Sequence, residues 1–350
     1  MKRGKVFLSK YSIVENPLDR SWDSFLERVT EGNLRQCFEY GEISTIAYPR
    51  KKIARLSIMR DGELVGLVQG TYTVYFGIGM TLSVDLGPII NPETTPNPHV
   101  GILLKELEAY CKKKRITHLH FSVPDYLHLH DVFCEMNYTP GGRANDYVIN
   151  LINGSQKLWL SIHHNKRRNI KRALEEGVEI TGSRRKRDLE AFLSLYKATA
   201  KKRGFNAYPD SFFMAIRKTF KPELSKVFLA HWKDKIVSGV FVVIQGKTVY
   251  GLGAGSLTIG WSARPNDLLH WKVIEWALEN GYSKYNMGGV DEPPPTKGSL
   301  QWGIWRWKRE WKGSFEKFEY FDKIILPQYK PMVQARNLAV RCIRRMKISI

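Results

Sequence analysis

The sequence predicts two tandem domains of the α/β (α+β) class, each a mixed, mostly antiparallel sheet flanked by helices. Three observations carry that expectation. The chain has 350 residues, more than one hydrophobic core usually serves. Its apolar pattern runs twice through one order: two period-two strands about a tight turn, a loop, an amphipathic helix and a returning strand. The turns at Asp61-Gly62 and Lys233-Asp234-Lys235 stand at matching places in the two passes.

In the first pass, 21–28 form a helical patch with Trp22, Phe25 and Val29 on one side and Ser21 as its cap. Residues 53–60 and 64–70 alternate as strands about Asp61-Gly62, a hairpin signal, and 72–76 continue the sheet. After a proline-rich loop over 91–98, a helix over 100–114 turns Leu103, Leu104, Leu107 and Tyr110 inward and leads into a strand at 118–121. In the second pass, the turn 233–235 joins strand 236–244 to what precedes it, and a strand at 248–252 follows. A helix over 267–279, stopped by Asn280-Gly281, then leads to a strand at 284–287 that runs into Gly288-Gly289. Gly66 and Gly239 take the same place in the two passes. The boundaries drawn are 1–150 for the first domain and 151–326 for the second, with a basic helix over 327–350 packing back on the first.

Composition narrows the function classes. An apolar fraction of 43% with 12% aromatics excludes general disorder. Against 55 Lys and Arg stand 34 Asp and Glu, leaving +21, a balance suited to polyanions. Cys37, Cys111, Cys134 and Cys342 form no close pair, which fits a reducing compartment and gives no zinc spacing. Val6-Phe7-Leu8 is too short for a signal-peptide core, and no apolar stretch reaches the roughly 20 residues of a membrane span. A cytoplasmic protein is expected; for the basic tail, contact with an anionic membrane face is the alternative to packing on the first domain.

Two stretches carry candidate chemistry. Over 165–176 a helix capped by Asn165 and ended by Gly177 gathers Lys166, Arg167, Arg168, Lys171 and Arg172. Like charges at i,i+4 destabilise a helix unless an anion sits among them, so this is either a solvated face or a ligand site. Arg184-Arg185-Lys186-Arg187 reads as an exposed turn or a phosphate contact. The other stretch, 251–313, runs from a glycine-rich strand end through Arg264-Pro265-Asn266 and Gly288-Gly289 to Trp307-Lys308 and Trp311-Lys312-Gly313. Glycines at a strand end allow close approach to the backbone. A lysine among indoles is either an ordinary strand residue or a cation strengthened by the exclusion of water.

Other patterns are weaker. His118, His120, His128 and His130 lie near Asp125 and Cys134, but no metal signature joins them, and ordinary sheet and loop histidines are expected. Residues 251–255 lack the sixth-position glycine of a dinucleotide fingerprint. No Gly-x-Ser-x-Gly elbow is present.

Taken together, 165–170, Ala173, Gly177-Val178, Thr199, Arg203-Gly204-Phe205, Gly255-Ser256, 263–266, Gly288-Gly289, Trp307-Lys308, Trp311 and Gly313 resemble the Fem peptidyltransferase family. The resemblance spans the chain and is sharp over 158–313. It implies two tandem GNAT-like domains and transfer of an amino acid from aminoacyl-tRNA to an amine of an anionic, nucleotide- or lipid-linked cell-wall precursor. It implies no cofactor, a monomer, and the compact branch without the family's helical arm. Lys308 takes the position of the family's functional lysine after an aromatic residue, as the cation beside the oxyanion. Trp307 and Trp311 would wall the site, and Arg167, Arg168, Asn169, Arg203, Tyr208, Asn266, Gly288 and Gly289 would bind substrate. Gln36 and Tyr40 match the family's first domain, but Glu42 and Ser44 stand where a lysine is expected, which leaves the acceptor open. A coenzyme A-dependent N-acyltransferase is the rival enzyme, although Pro265 and Asp267 replace glycines of its pyrophosphate loop. A non-catalytic RNA-binding adaptor is the rival outside enzymes.

Overall fold

The computed structural model describes residues 11–17, 21–75, 77–91, 96–290, 294–329 and 331. The chain divides into two compact units: 1–30 with 35–142 and 318–350, and 31–34 with 143–317. Phe76 and the basic tail over 332–350 lie outside the described residues.

The first unit contains β1 (Tyr11–Glu15), α1 (Ser21–Thr30), α2 (Phe38–Ala47), β2 (Lys51–Arg60), β3 (Glu63–Tyr75), β4 (Ile78–Val84), β5 (Ile89–Ile90), α3 (Pro96–Lys113), β6 (Ile116–Pro124) and α4 (His130–Glu135). It also takes the first residues of β7 (Thr139–Asn150) and the last of β13 (Ser314–Ile324). Its sheet runs β1-β2-β3-β4-β6-β13, with β5 beside β3, and among the described residues only β4 and β6 are parallel. The hairpin turn behaves as its residues dictate: Asp61 and Gly62 both have positive φ, the geometry that matches the twist of the joined strands. Leu103, Leu104 and Leu107 of α3 enter the core with Leu82, Leu119 and Phe121, as their helical spacing predicts.

The second unit contains the rest of β7, then α5 (Gly154–Ser161), α6 (His164–Glu175), β8 (Glu179–Ser183), α7 (Lys186–Arg203), α8 (Asp210–Thr219) and β9 (Ser225–Trp232). β10 (Lys235–Gln245), β11 (Thr248–Ser256), α9 (Pro265–Glu279), β12 (Lys284–Val290) and α10 (Leu300–Arg309) follow. Its sheet runs β7-β12-β11-β10-β9-β8, again with one parallel pair, β11 and β12, joined by the α9 crossover. The Lys233-Asp234 turn has positive φ at both residues, like its counterpart in the first unit. Gly255 is where the helix layer touches the sheet. A Cβ there would stand 2.5 Å from the Leu195 carbonyl carbon, so α7 lies directly on the strand.

Two expectations change. The cap of α6 is His163, whose ring accepts from Asn165 N at 3.2 Å; Asn165 itself is inside the helix. The tryptophan-dense stretch is helical: Ser299 caps α10, its Oγ accepting from Trp302 N at 3.2 Å, so Lys308 is a helix residue and not a strand residue. Tryptophans crowd together in both geometries, and composition alone does not separate them.

Candidate active site

The parallel pair in the second unit is short. β11 and β12 are in register from Thr248–Lys284 to Tyr250–Asn286 and then part, β11 continuing beside β10 and β12 beside β7. Because α9 is the crossover between them, its N-terminus lies at the end where they part. Several of the predicted residues gather at that end.

At the tip of β12, Asn286 donates to Asp146 Oδ2 at 2.9 Å and accepts from Gly288 N at 2.7 Å. That lock bends the chain through Gly288, whose φ of +76° suits glycine. Lys308, buried on α10, donates to Gly288 O at 2.9 Å and to Gly289 O at 2.7 Å. The turn therefore holds an ammonium group where the two strands separate.

Beside it lies a buried ion cluster that sequence reasoning missed. Lys166 is fully buried on α6 and donates to Asp267 Oδ1 at 2.7 Å, with Glu310 Oε2 3.4 Å away. Asp267, in the first turn of α9, also accepts from Trp307 Nε1 at 2.7 Å and from Asn169 Nδ2 at 2.8 Å. The Lys166 ammonium lies 4.5 Å from the Trp307 ring centroid and 5.4 Å from that of Trp311. Burial pulls its pKa below the usual lysine range against the opposing pull of Asp267 and Glu310. His270, one turn along α9, is 2.8 Å from the Tyr285 hydroxyl and stacks edge-on against Trp307. Burial, with Lys166 and Lys308 close by, drives its pKa down to about 3, so the imidazole is neutral at physiological pH. Trp311 is fully buried in the same core, and its Nε1 has no hydrogen-bond partner among the described residues.

The structure thus brings together Lys308, Gly288, Gly289, Trp307, Trp311 and Asn169. Asn266, next to Asp267 in the first turn of α9, accepts from the Ser238 hydroxyl through its amide oxygen. Arg167 serves the fold instead, because its Nη1 donates to the carbonyls of Trp159, Leu160 and Ile162, closing the C-terminus of α5. Arg168 is exposed on the outer face of α6, beside Lys171, Arg172, Glu175 and Glu176. Arg203 and Tyr208 lie beyond the cluster at the end of α7, Arg203 near Trp261 and Tyr208 stacked on Phe212.

The anion demanded by the charge run is largely the protein's own. Asp267 meets Lys166, and Glu176 lies 3.8 Å from Arg172. The start of α9 is a poor seat for a cofactor pyrophosphate. Pro265 offers no N–H, Asp267 N donates to Arg264 O at 3.2 Å, and the Asp267 carboxylate already occupies the helix's first turn. No group of three or more metal-ligating side chains exists among the described residues; His120 pairs with Asp322 and His130 with Glu319, each at 2.8 Å.

The model of the acetyltransferase (GNAT) domain matches residues 161–309, the segment that holds most of this site. The UDP-N-acetylmuramoylpentapeptide-lysine N(6)-alanyltransferase of Weissella viridescens is 24% identical over 39% of this chain and 40% of its own length. A lipid II:glycine glycyltransferase of Staphylococcus aureus is 28% identical over 39% of the chain and 32% of its own. The matches to these relatives thus span less than half of their length. With the lipid II:glycine glycyltransferase of Staphylococcus saprophyticus the match is 22% identical and long, 89% of this chain and 92% of the relative. Among solved structures, FemX superposes with a TM-score of 0.79 at 17% identity, over 91% of this chain and 100% of that one. A tandem GNAT protein from the clavulanic acid pathway superposes at 0.59 and 9% identity, over 90% and 99%. These likenesses establish a tandem GNAT fold, and the chain is similar in sequence to Fem-type transferases.

Proposed function

We propose that the chain forms an amide by transferring an aminoacyl group from aminoacyl-tRNA to an amine of a peptidoglycan precursor. The observation that carries this reading is the buried Lys308 ammonium, held on the carbonyls of Gly288 and Gly289 where β11 and β12 part. In the reaction, the acceptor amine attacks the ester carbonyl and forms a C–N bond, while the carbonyl electron pair moves onto oxygen. Collapse of that tetrahedral intermediate breaks the ester C–O bond. The ribose oxygen leaves and takes up the proton lost by the amine. Lys308 lies beside the developing oxyanion and stabilises it, with Trp307 and Trp311 excluding water, which strengthens the charge's effect. The neutral His270 and the Asp267–Lys166 pair position Trp307 and the first turn of α9. Arg203, the last residue of α7, and Tyr208, in the loop after it, bind anionic parts of the substrates; Thr199 Oγ1 accepts from Ser256 N at 2.9 Å, which anchors the end of α7 at the tip of β11. The Fem-type relatives named for lipid II and for the muramoyl-pentapeptide support the acceptor class.

The test is a transfer assay with purified protein, a pool of tRNA charged with labelled amino acids, and nucleotide- and lipid-linked precursors. An acceptor heavier by one amino-acid residue, in a reaction abolished by RNase, is expected. Acyl transfer from a coenzyme A thioester with no tRNA requirement would replace this reading with the acetyltransferase one.

A further inference from the structure

At the C-terminal end of α7, the helix is latched to the 3-10 turn Thr258–Ala263 that follows β11. Lys202 Nζ donates to Thr258 Oγ1 at 2.7 Å and lies 4.1 Å from the Trp261 ring centroid, while Trp261 Nε1 donates to Ser256 Oγ at 3.1 Å. Around this latch three large apolar side chains face solvent: Ile259 at 57% exposure, Phe205 at 41% and Trp261 at 40%. Scattered exposed apolar residues need no explanation, but a cluster does. The charge here is one-sided. Residues 196–209 and 256–266 hold Lys197, Lys201, Lys202, Arg203 and Arg264 and no Asp or Glu. Asp210, next along the chain, is paired with Lys197 at 2.6 Å.

We propose that this latch seats on an anionic lipid surface. Ile259, Phe205 and Trp261 enter the boundary between headgroups and acyl chains, and Lys201 and Lys202 meet lipid phosphates. An indole with its N–H bonded and a cation on its face suits the headgroup layer. RNA fits less well. Lys202 already covers one face of Trp261, and Ile259 has no counterpart in phosphate binding or base stacking. This surface is separate from the buried ion cluster, and the proposal does not depend on the transfer chemistry.

Vesicle flotation of the full chain tests it, with vesicles of phosphatidylcholine plus phosphatidylglycerol compared with phosphatidylcholine alone. The wild type is expected to float with the anionic vesicles and to detach at high salt. Ile259→Asp combined with Lys201→Glu, both exposed positions, should lower the partition coefficient on the order of tenfold with an unchanged melting curve. Equal flotation of variant and wild type, or no flotation of either, overturns the proposal. So does a variant that floats normally but loses affinity for charged tRNA, which would make the latch an RNA surface.

Discussion

Both units bury a cation and cross one helix between two parallel strands, yet they use these parts differently. In the first unit β4 and β6 stay in register from Gly79–Ile116 to Val84–Phe121. Its buried Arg55 donates to Gln69 Oε1 at 2.7 Å, to Glu42 Oε1 at 2.8 Å and to Phe38 O at 2.7 Å, with its guanidinium over the Phe38 ring. Gln36 ties Gln69 O to Asp85 O across the strand ends. In the second unit the strands part after Tyr250–Asn286, and Lys308 bonds to backbone carbonyls at the opening. The same topology therefore yields a closed polar network in one unit and an opening rimmed by a cation in the other. The difference lies in where each parallel pair stops.

If the buried ions of the second unit serve as a scaffold for that opening, breaking them should cost most. Asp267→Ala strands the fully buried Lys166 ammonium and should destabilise by about 3–5 kcal/mol in urea titration. A loss below about 1 kcal/mol would mean that Glu310 alone satisfies Lys166. Gly255→Val drives a side chain into the Leu195 backbone and should cost about 1–3 kcal/mol, with the loss lying in the second unit. Arg167→Met, which opens the end of α5, should lower stability by about 1–2 kcal/mol and leave the KM for charged tRNA unchanged. A raised KM at unchanged stability would return Arg167 to substrate binding.

Acid response separates the units by sign. Burial, reinforced by neighbouring Glu39, raises the Asp23 carboxyl to about 7 in the folded first unit. Between about pH 4 and 7 the folded state thus holds a proton that the unfolded chain has lost, and stability falls as pH rises through this window. Asp23→Asn, which keeps an acceptor for Phe38 N, should flatten that fall. His270, lowered to about 3, acts in the opposite sense. Below its ordinary pKa of about 6.5 the unfolded chain takes up a proton that the folded state refuses, so stability falls as pH drops from there toward 3. Urea titrations across pH 3–8 on Asp23→Asn and the wild type check both slopes.

Much of this was legible in the sequence. The repeated order, the hairpin turns and the Gly288-Gly289 strand end all stand where local pattern placed them. Lys166 escapes a sequence reading because it is one of five cations in a run. It lies at i, i+4 and i+7 spacing with Ile170 and Ala173, the buried stripe of α6, and that position is the available signal. Asp267 looks like an ordinary acid in a first helical turn, and only tertiary packing pairs it with a residue 101 positions away. Arg167 looks like a phosphate ligand because nothing local reveals that three carbonyls at the end of α5 face it. The helical state of α10 is hidden because closely spaced tryptophans suit strand and helix alike.

The most direct test of the central claim is the single-turnover rate of aminoacyl transfer from charged tRNA to a cell-wall precursor by the wild type and by Lys308→Met, with melting curves recorded in parallel. The account predicts a rate about 10²–10³-fold lower in a variant that still folds. A folded Lys308→Met that transfers at the wild-type rate would contradict it, leaving Lys308 as the clasp of the Gly288-Gly289 turn and placing the oxyanion elsewhere.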